Sequence, residues 1–438
     1  MSEEGMTEGL ATKASDFTRC SEQMAKDYLW NTLGSLVNAG ASVLMLLVVT
    51  RFLGAYAGGL FSIAFAIAQQ FQVVGHFEMR AYQATDARER FSFGIYFASR
   101  ILTCSLMVLL VVIYSIFVAE RREAPVLLLI ASLRLFDAFE DVFHGMFQQH
   151  GRLDVAGKAF FCRGLTTIVT FSLGVILTRD IVSACVISFV ASLVTVILMD
   201  ILPARSFVSL IPTFELKPIV RLLLACMPLF VGSFLLTYLS NAPKYGIEGL
   251  MTKDYQTYYS IIFMPSLVIN LLSGFVFKPL LTDLAMHWTK GDVKAFFSII
   301  VRGFMVICAA TLLAMLVAYP IGTEILSAIY GIDVTPLRPE LMILLIGGLL
   351  NAVSVILFYA VVTMRMQRFV IVAYGVAALF SFFATTPFIA AAGLMGACML
   401  YDASMLILSL IFLAALVYRA KRCAPSAAMA PPESPGLE

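Results

Sequence analysis

Between Pro125 and Gln149 the sequence PVLLLIASLRLFDAFEDVFHGMFQQ is long and apolar enough to cross a bilayer, yet it carries Arg134, Asp137, Glu140, Asp141 and His144. At about 100° per residue, Arg134, Asp137, Asp141, His144 and Gln148 fall on one side of a helix, with Glu140 at the edge of that arc. The other sides are Leu, Ile, Phe and Ala. A central charge facing lipid costs roughly 2.5–3.5 kcal/mol, so this side must face other helices or a water-filled cavity. A guanidinium there can hold an anion in a fork of two hydrogen bonds, and a carboxylate there can take up a proton or pair with a cation. That is chemistry suited to a transport path. The plainer alternative is an internal pair of Arg and carboxylate that ties helices together.

Further candidates lie elsewhere in the chain. Asp402 lies nine residues into the last apolar run, as Arg134 does in its own, and each is expected near the bilayer midplane. Together with Asp137, Glu140 and Asp141, Asp402 is a candidate for ion coupling or gating. Arg51 and Lys244 close the first and seventh runs on one side of the membrane, where each could bind an anionic headgroup or reach out to the interface. Asn31, Asn241 and Asn270 are amides inside or at the ends of apolar runs; they could line a sugar path or bond between helices. Gln69, Gln70 and Gln72 crowd the second run, ahead of a mixed-charge loop, Gly75 to Arg90.

The elements that must position these groups follow from composition. Of 438 residues 60% are hydrophobic and only 13% charged, with a mean hydropathy of +0.91. This is an all-α, polytopic membrane protein, and about twelve apolar runs of spanning length are expected, as two six-helix lobes around a central cavity. Residues 1–27 form an N-terminal segment without the apolar stretch of a signal peptide, 28–202 a first lobe and 203–218 a linker. Residues 219–418 form the second lobe, and 419–438, rich in Pro, Ala and Ser, a disordered tail. Most of the 30 basic residues, Arg100 and Arg163 among them, fall on the side of the termini. Arg51, Arg121, Arg122, Arg179, Lys244, Lys253 and Arg338 fall on the other, so both termini are expected in the cytoplasm.

A net charge of +2 with no basic patch argues against nucleic acid as a partner. Eight cysteines are scattered without a close pair and four histidines show no metal-ligand spacing, so neither a metal site nor a cofactor is expected. Connections of under about 20 residues leave no room for an extramembrane catalytic domain.

Four short motifs stand in these runs: R-x-L-G at Arg51 to Gly54, Gly-Leu-Phe-Ser from Gly59, R-x-Y-Q-x-x-D at Arg80 to Asp86, and N-x-x-K-Y at Asn241 to Tyr245. In these the chain resembles the polysaccharide-transporter branch of the multidrug/oligosaccharidyl-lipid/polysaccharide flippase superfamily. The resemblance implies a two-lobe carrier that alternates between inward-open and outward-open states. Its cargo would be a polyprenyl-pyrophosphate-linked oligosaccharide, crossing the cytoplasmic membrane for surface glycan synthesis. Membrane lipids, a glycan polymerase and glycosyltransferases are the partners it implies, with Arg134, Arg51 and Lys244 holding the pyrophosphate. The acidic group Asp137, Glu140 and Asp141 departs from a purely cationic cavity. A multidrug or cation antiporter of the same superfamily is the alternative, and a membrane-embedded polymerase or glycosyltransferase a more distant one.

Overall fold

The structure is a computed structural model that describes residues 3–86, 90–121 and 123–423, with side chains described outside 3–22, 271–282, 367–368 and 420–423. The expectation of disorder over 424–438 lies outside the described residues. All regular structure among the described residues is helical. The helices are α1 (Glu3–Leu53), α2 (Ala55–His76), α3 (Met79–Thr85), α4 (Phe93–Phe117), α5 (Ala124–Gln149), α6 (Leu153–Thr178) and α7 (Ile181–Val196). A π-helical turn, Ile197–Ile201, joins α7 to α8 (Leu202–Ala204). There follow α9 (Leu216–Leu250), α10 (Lys253–Thr289), α11 (Val293–Tyr330), α12 (Arg338–Thr363) and α13 (Gln367–Cys423).

Among the described residues nine helices are long and apolar enough to span a membrane. One of them, α13, is broken at Gly393, where φ is 57° and ψ is −130°, a backbone conformation that glycine adopts without the steric cost of a Cβ. Residues 367–392 and 394–423 therefore form two segments of spanning length. With α5, whose charges set it apart, and the 37-residue α10, twelve spanning segments result. The protein is a polytopic, all-helical membrane protein.

Several helices outlast the apolar runs that defined them. Helix α9 continues beyond Asn241 to Leu250, so Lys244 sits within a helix and not after its end. Helix α13 runs to Cys423, making residues 419–423 helical rather than part of the tail. Only residues 290–292 separate α10 from α11, and α11 passes through Pro320 to Tyr330. Backbone hydrogen bonding does not stop where side chains turn polar, so the hydropathy edge marks the membrane and not the helix end.

Contacts divide the chain into two compact units, 1–234 and 235–438, with the dividing line inside α9 and not in the 203–218 segment. In the first unit α5 packs on α2, α4, α6 and α7, and α1 on α6. Gly157 permits that last contact: a Cβ on it would lie 2.6 Å from the backbone nitrogen of Asn31 and the carbonyl carbon of Trp30. The R-x-Y-Q-x-x-D motif builds the turn after α3. Buried Asp86 accepts from the backbone N–H of Arg90 at 3.1 Å and of Phe91 at 3.3 Å, and from the Tyr96 hydroxyl at 3.1 Å. Asp180 caps α7 by accepting from Ser183 N–H at 2.8 Å, a bond that holds its carboxyl below the usual carboxylate range.

In the second unit α12 packs on α10, α11 and α13. The Ser266 hydroxyl donates to the Leu344 carbonyl at 2.5 Å and that of Ser409 to the Leu350 carbonyl at 3.1 Å. These hydroxyls satisfy themselves on neighbouring helices, the usual glue of membrane bundles.

Candidate functional site

Helix α5 starts at Ala124 with Pro125 in its first turn, where the missing N–H costs nothing. Its polar arc turns inward: the side chains of Asp137, Glu140 and His144 are 5%, 1% and 3% exposed. The arc then divides between two neighbours. Asp141 turns to α4, where Arg100 Nη2 meets it at 2.6 Å, with Arg80 Nη1 at 3.7 Å on its outer side. Arg100 also donates through Nη1 to the carbonyls of Gly75 at 2.6 Å and His76 at 2.8 Å, closing the C-terminal end of α2.

Asp137 and Glu140 turn to α6. Arg163 on that helix pairs with Asp137 and, through Nε at 2.5 Å, with Glu140. Asp137 also accepts from Arg134 Nη1 at 2.6 Å and from Gln72 Nε2 at 3.3 Å. One carboxylate thus lies between two guanidiniums. Arg134 has the ring of Phe65 against its other side, 4.0 Å from guanidinium carbon to centroid.

A cavity of about 20 Å³ lies beside them, lined by Asn38, Phe65, Arg134, Asp137, Arg163 and Thr167 among others, with room for a water molecule and not for a diphosphate. A second, more open cavity of about 540 Å³ lies against His76, Glu78, Arg80, Asp141 and Gln148. Phe77 and Glu78 both have positive φ, 47° and 52°, at the turn that borders it. Stacking of buried Phe77 on Phe230, 4.3 Å between centroids, helps to hold that turn.

The remaining sequence candidates stand apart from this network. Arg51 is exposed at the end of α1, and Asn31 is half-buried on α1 where it meets α6. In the second unit Asn241 is buried and donates to the Thr237 carbonyl one turn back at 3.1 Å. Lys244 is half-buried, and no ion pair reaches its ammonium among the described residues, whereas Lys253 is paired with Glu248. Asn270 is half-buried on α10, and Asp402 on α13 has one buried oxygen, Oδ1, without a hydrogen-bond partner.

A family model for polysaccharide biosynthesis proteins matches residues 24–285, more than half of the chain. The chain belongs to this family. No curated protein matches it in sequence. Among solved structures, an inward-facing MATE-family multidrug resistance transporter of the MOP superfamily aligns with a TM-score of 0.66 at 11% identity, over 91% of this chain and 96% of its own. The lipid II flippase MurJ in its inward closed conformation aligns at 0.62 and 14% identity, over 91% and 94%. The Vibrio cholerae MATE transporter VcmN in its bent form aligns at 0.54 and 11%, over 93% and 98%. At such identities the likeness establishes the fold, that of MOP-superfamily transporters. The chain thus joins a polysaccharide-biosynthesis family to the fold of these membrane transporters.

In this family member the sequence left three charged residues of the network unassigned. Arg100 and Arg163 fall on the side of the termini when basic residues are counted along the chain, but both are buried in the first unit, at 0% and 3%. Each lies on the inward face of its helix and pairs with carboxylates of α5. The signal was present one turn away, because Ser99 and Thr103 beside Arg100, and Thr167 beside Arg163, mark the same buried faces. Asp200, fully buried near the end of its span, was the third.

Proposed function

We propose that this chain carries a polyprenyl-pyrophosphate-linked oligosaccharide across the cytoplasmic membrane for cell-surface polysaccharide synthesis, by alternating access and with both termini in the cytoplasm. The observation that carries the reading is the sharing of Asp137 between Arg134 and Arg163. Breaking a buried ion pair is costly because it leaves a charge uncompensated. Here, in a state in which the cavity beside it has widened, an incoming phosphate can take Arg134 while Asp137 keeps Arg163 and Gln72. Exchange of one anion for another at Arg134 therefore leaves Asp137 with a guanidinium partner. A ligand held this way in one conformation and not in the other shifts the balance between them, which is what alternating access requires.

Lys244 and Arg51 serve in this reading as further contacts for the anionic headgroup, Asn31, Asn241 and Asn270 as sugar contacts, and Asp402 as a coupling carboxylate. Glycosyltransferases would supply the cargo and a polymerase would consume it. The test is Arg134→Ala in cells that depend on this chain for their surface glycan. Loss of export at an unchanged protein level, with drug tolerance unaltered, supports the proposal; full export overturns it. Loss of drug tolerance with export intact favours the antiporter instead.

A further inference from the structure

Deeper in the first unit a second cluster lies next to the arginine pair and takes no part in that exchange. Glu140, His144 and Asp200 each offer one ligand atom, and these atoms lie within 4.8 Å of one another. All three side chains are at most 3% exposed. His144 Nε2 approaches Asp200 Oδ1 at 3.0 Å, the imidazole edge-on to Phe160. Neither oxygen of Asp200 or of Glu140 has a hydrogen-bond partner, and Oδ2 of Asp200 and Oε1 of Glu140 lack an ion-pair contact as well. A buried carboxylate oxygen without a donor costs free energy that a fold does not keep without return.

The backbone makes a special provision for Asp200. Ser188, Ser192, Val196 and Ala204 form a buried stripe along α7 and α8, and Asp200 falls on it. The π-helical turn Ile197–Ile201, in which Leu202 N–H bonds back to the Ile197 carbonyl, inserts one residue beside Asp200 just before Pro203. Such single π turns are rare and concentrate where a side chain must be re-aimed for function. Glu140 and His144 are four residues apart on one face of α5, so two helices present three ligands to one point.

We propose that Glu140, His144 and Asp200 form an intramembrane binding site for a divalent first-row metal cation of the zinc or manganese kind. One imidazole nitrogen with two carboxylates is a donor set such ions accept, and three protein ligands leave a fourth position for water. Bonds of about 2.0–2.2 Å require ligand atoms about 3–4 Å apart, a small closure from the present spacing. Glu140 would bridge, with Oε2 on Arg163 and Oε1 on the metal, so Arg163 becomes the group that orients a ligand. With the ion bound, Glu140 and Asp200 are neutralised by it, Asp137 by Arg163, and the surplus positive charge falls on Arg134. Metal loading then prepares Arg134 for an anion, and by linkage an anion on Arg134 tightens the metal.

The full chain, purified in detergent and stripped with a chelator, is loaded with ZnCl2, desalted and assayed for retained zinc by mass spectrometry. CoCl2 in its place reports the ligand field by visible absorption. The expected result is one ion per chain, with affinity at least about tenfold lower in both Asp200→Asn and His144→Gln, and no change in His287→Gln. No retained metal in the unmodified chain overturns the proposal, as does retention in both variants equal to that of the unmodified chain. Should a variant fail to fold, the stoichiometry of the unmodified chain and the cobalt spectrum decide. No cargo is present in this assay, so its failure leaves the transport reading standing, and failure of the export test leaves the metal site standing.

Discussion

The two units of this chain bury different things. Among the described residues of the first, Asp86, Arg100, Asp137, Glu140, Asp154, Arg163 and Asp200 are all buried; in the second no Asp, Glu, Lys or Arg is. Unit 2 is joined instead by hydroxyls on carbonyls, as at Ser266 and Ser409, and by small residues at helix contacts. Each unit nonetheless assembles several spanning helices. Burying charge is therefore no requirement of a bundle of this kind, and replacing buried ion pairs with apolar side chains is often neutral or stabilising. On the proposed reading the ionic core of unit 1 is retained for transport, while the buried core of unit 2 can be understood as packing.

The sharpest way to break this comparison is Asp137→Ala. It leaves Arg134 without its carboxylate and Arg163 with Glu140 alone, and a destabilisation of about 3–5 kcal/mol is expected, read as a fall in the unfolding temperature in detergent. A Tm within error of the parent would mean that water already hydrates these arginines and that the ionic core is not buried in the sense argued.

Packing offers a second contrast. A Cβ on Gly157 would meet backbone atoms of α1 at 2.6 Å, whereas one on Gly348 would meet Ser266 Cα at 3.2 Å. Gly157→Ala is expected to cost about 1–3 kcal/mol, and Gly348→Ala less, by the same unfolding measurement. Equal losses would show that α10 and α12 are as rigidly pressed as α1 and α6.

A third contrast lies within unit 2. Lys253 is neutralised by Glu248, while Lys244 is half-buried one helix earlier without an ion-pair partner among the described residues. Lys244→Ala is expected to lower surface-glycan export roughly tenfold, the scale of one lost charge-assisted bond, and Lys253→Ala much less. Equal effects would remove Lys244 from the headgroup contacts.

Much of this was legible in the sequence, and the illegible part has a physical reason. Hydropathy marks the spanning segments because lipid forces every exposed helical face to be apolar. The 100° arc on α5 marked Arg134, Asp137 and Glu140, which the structure brings together. It could not name their partners, because Arg100, Arg163 and Asp200 are single charges in otherwise apolar or hydroxyl-bearing runs and reveal themselves only once helices are paired. Asp200 continues the four-residue spacing of Ser188, Ser192 and Val196, but the π turn that aims it is not visible in that spacing. Helix ends such as that of α9 were missed because hydropathy stops where the membrane does.

The smallest expected effect tests the other side of the comparison. If unit 2 is held by many weak contacts, no single one should matter much. The Ser266 hydroxyl makes a buried interhelical bond to the Leu344 carbonyl, and Gly348 brings the two helices together there. Hydroxyl bonds between membrane helices average about 0.6 kcal/mol, since the separated helix can satisfy its hydroxyl on its own backbone one turn away. Ser266→Ala should therefore lower stability by about that amount and leave export unchanged. A loss several times larger would mean that unit 2 concentrates its stability at this crossing as unit 1 does at Asp137, and the contrast between an ionic core kept for function and a packed core kept for structure would have to be redrawn.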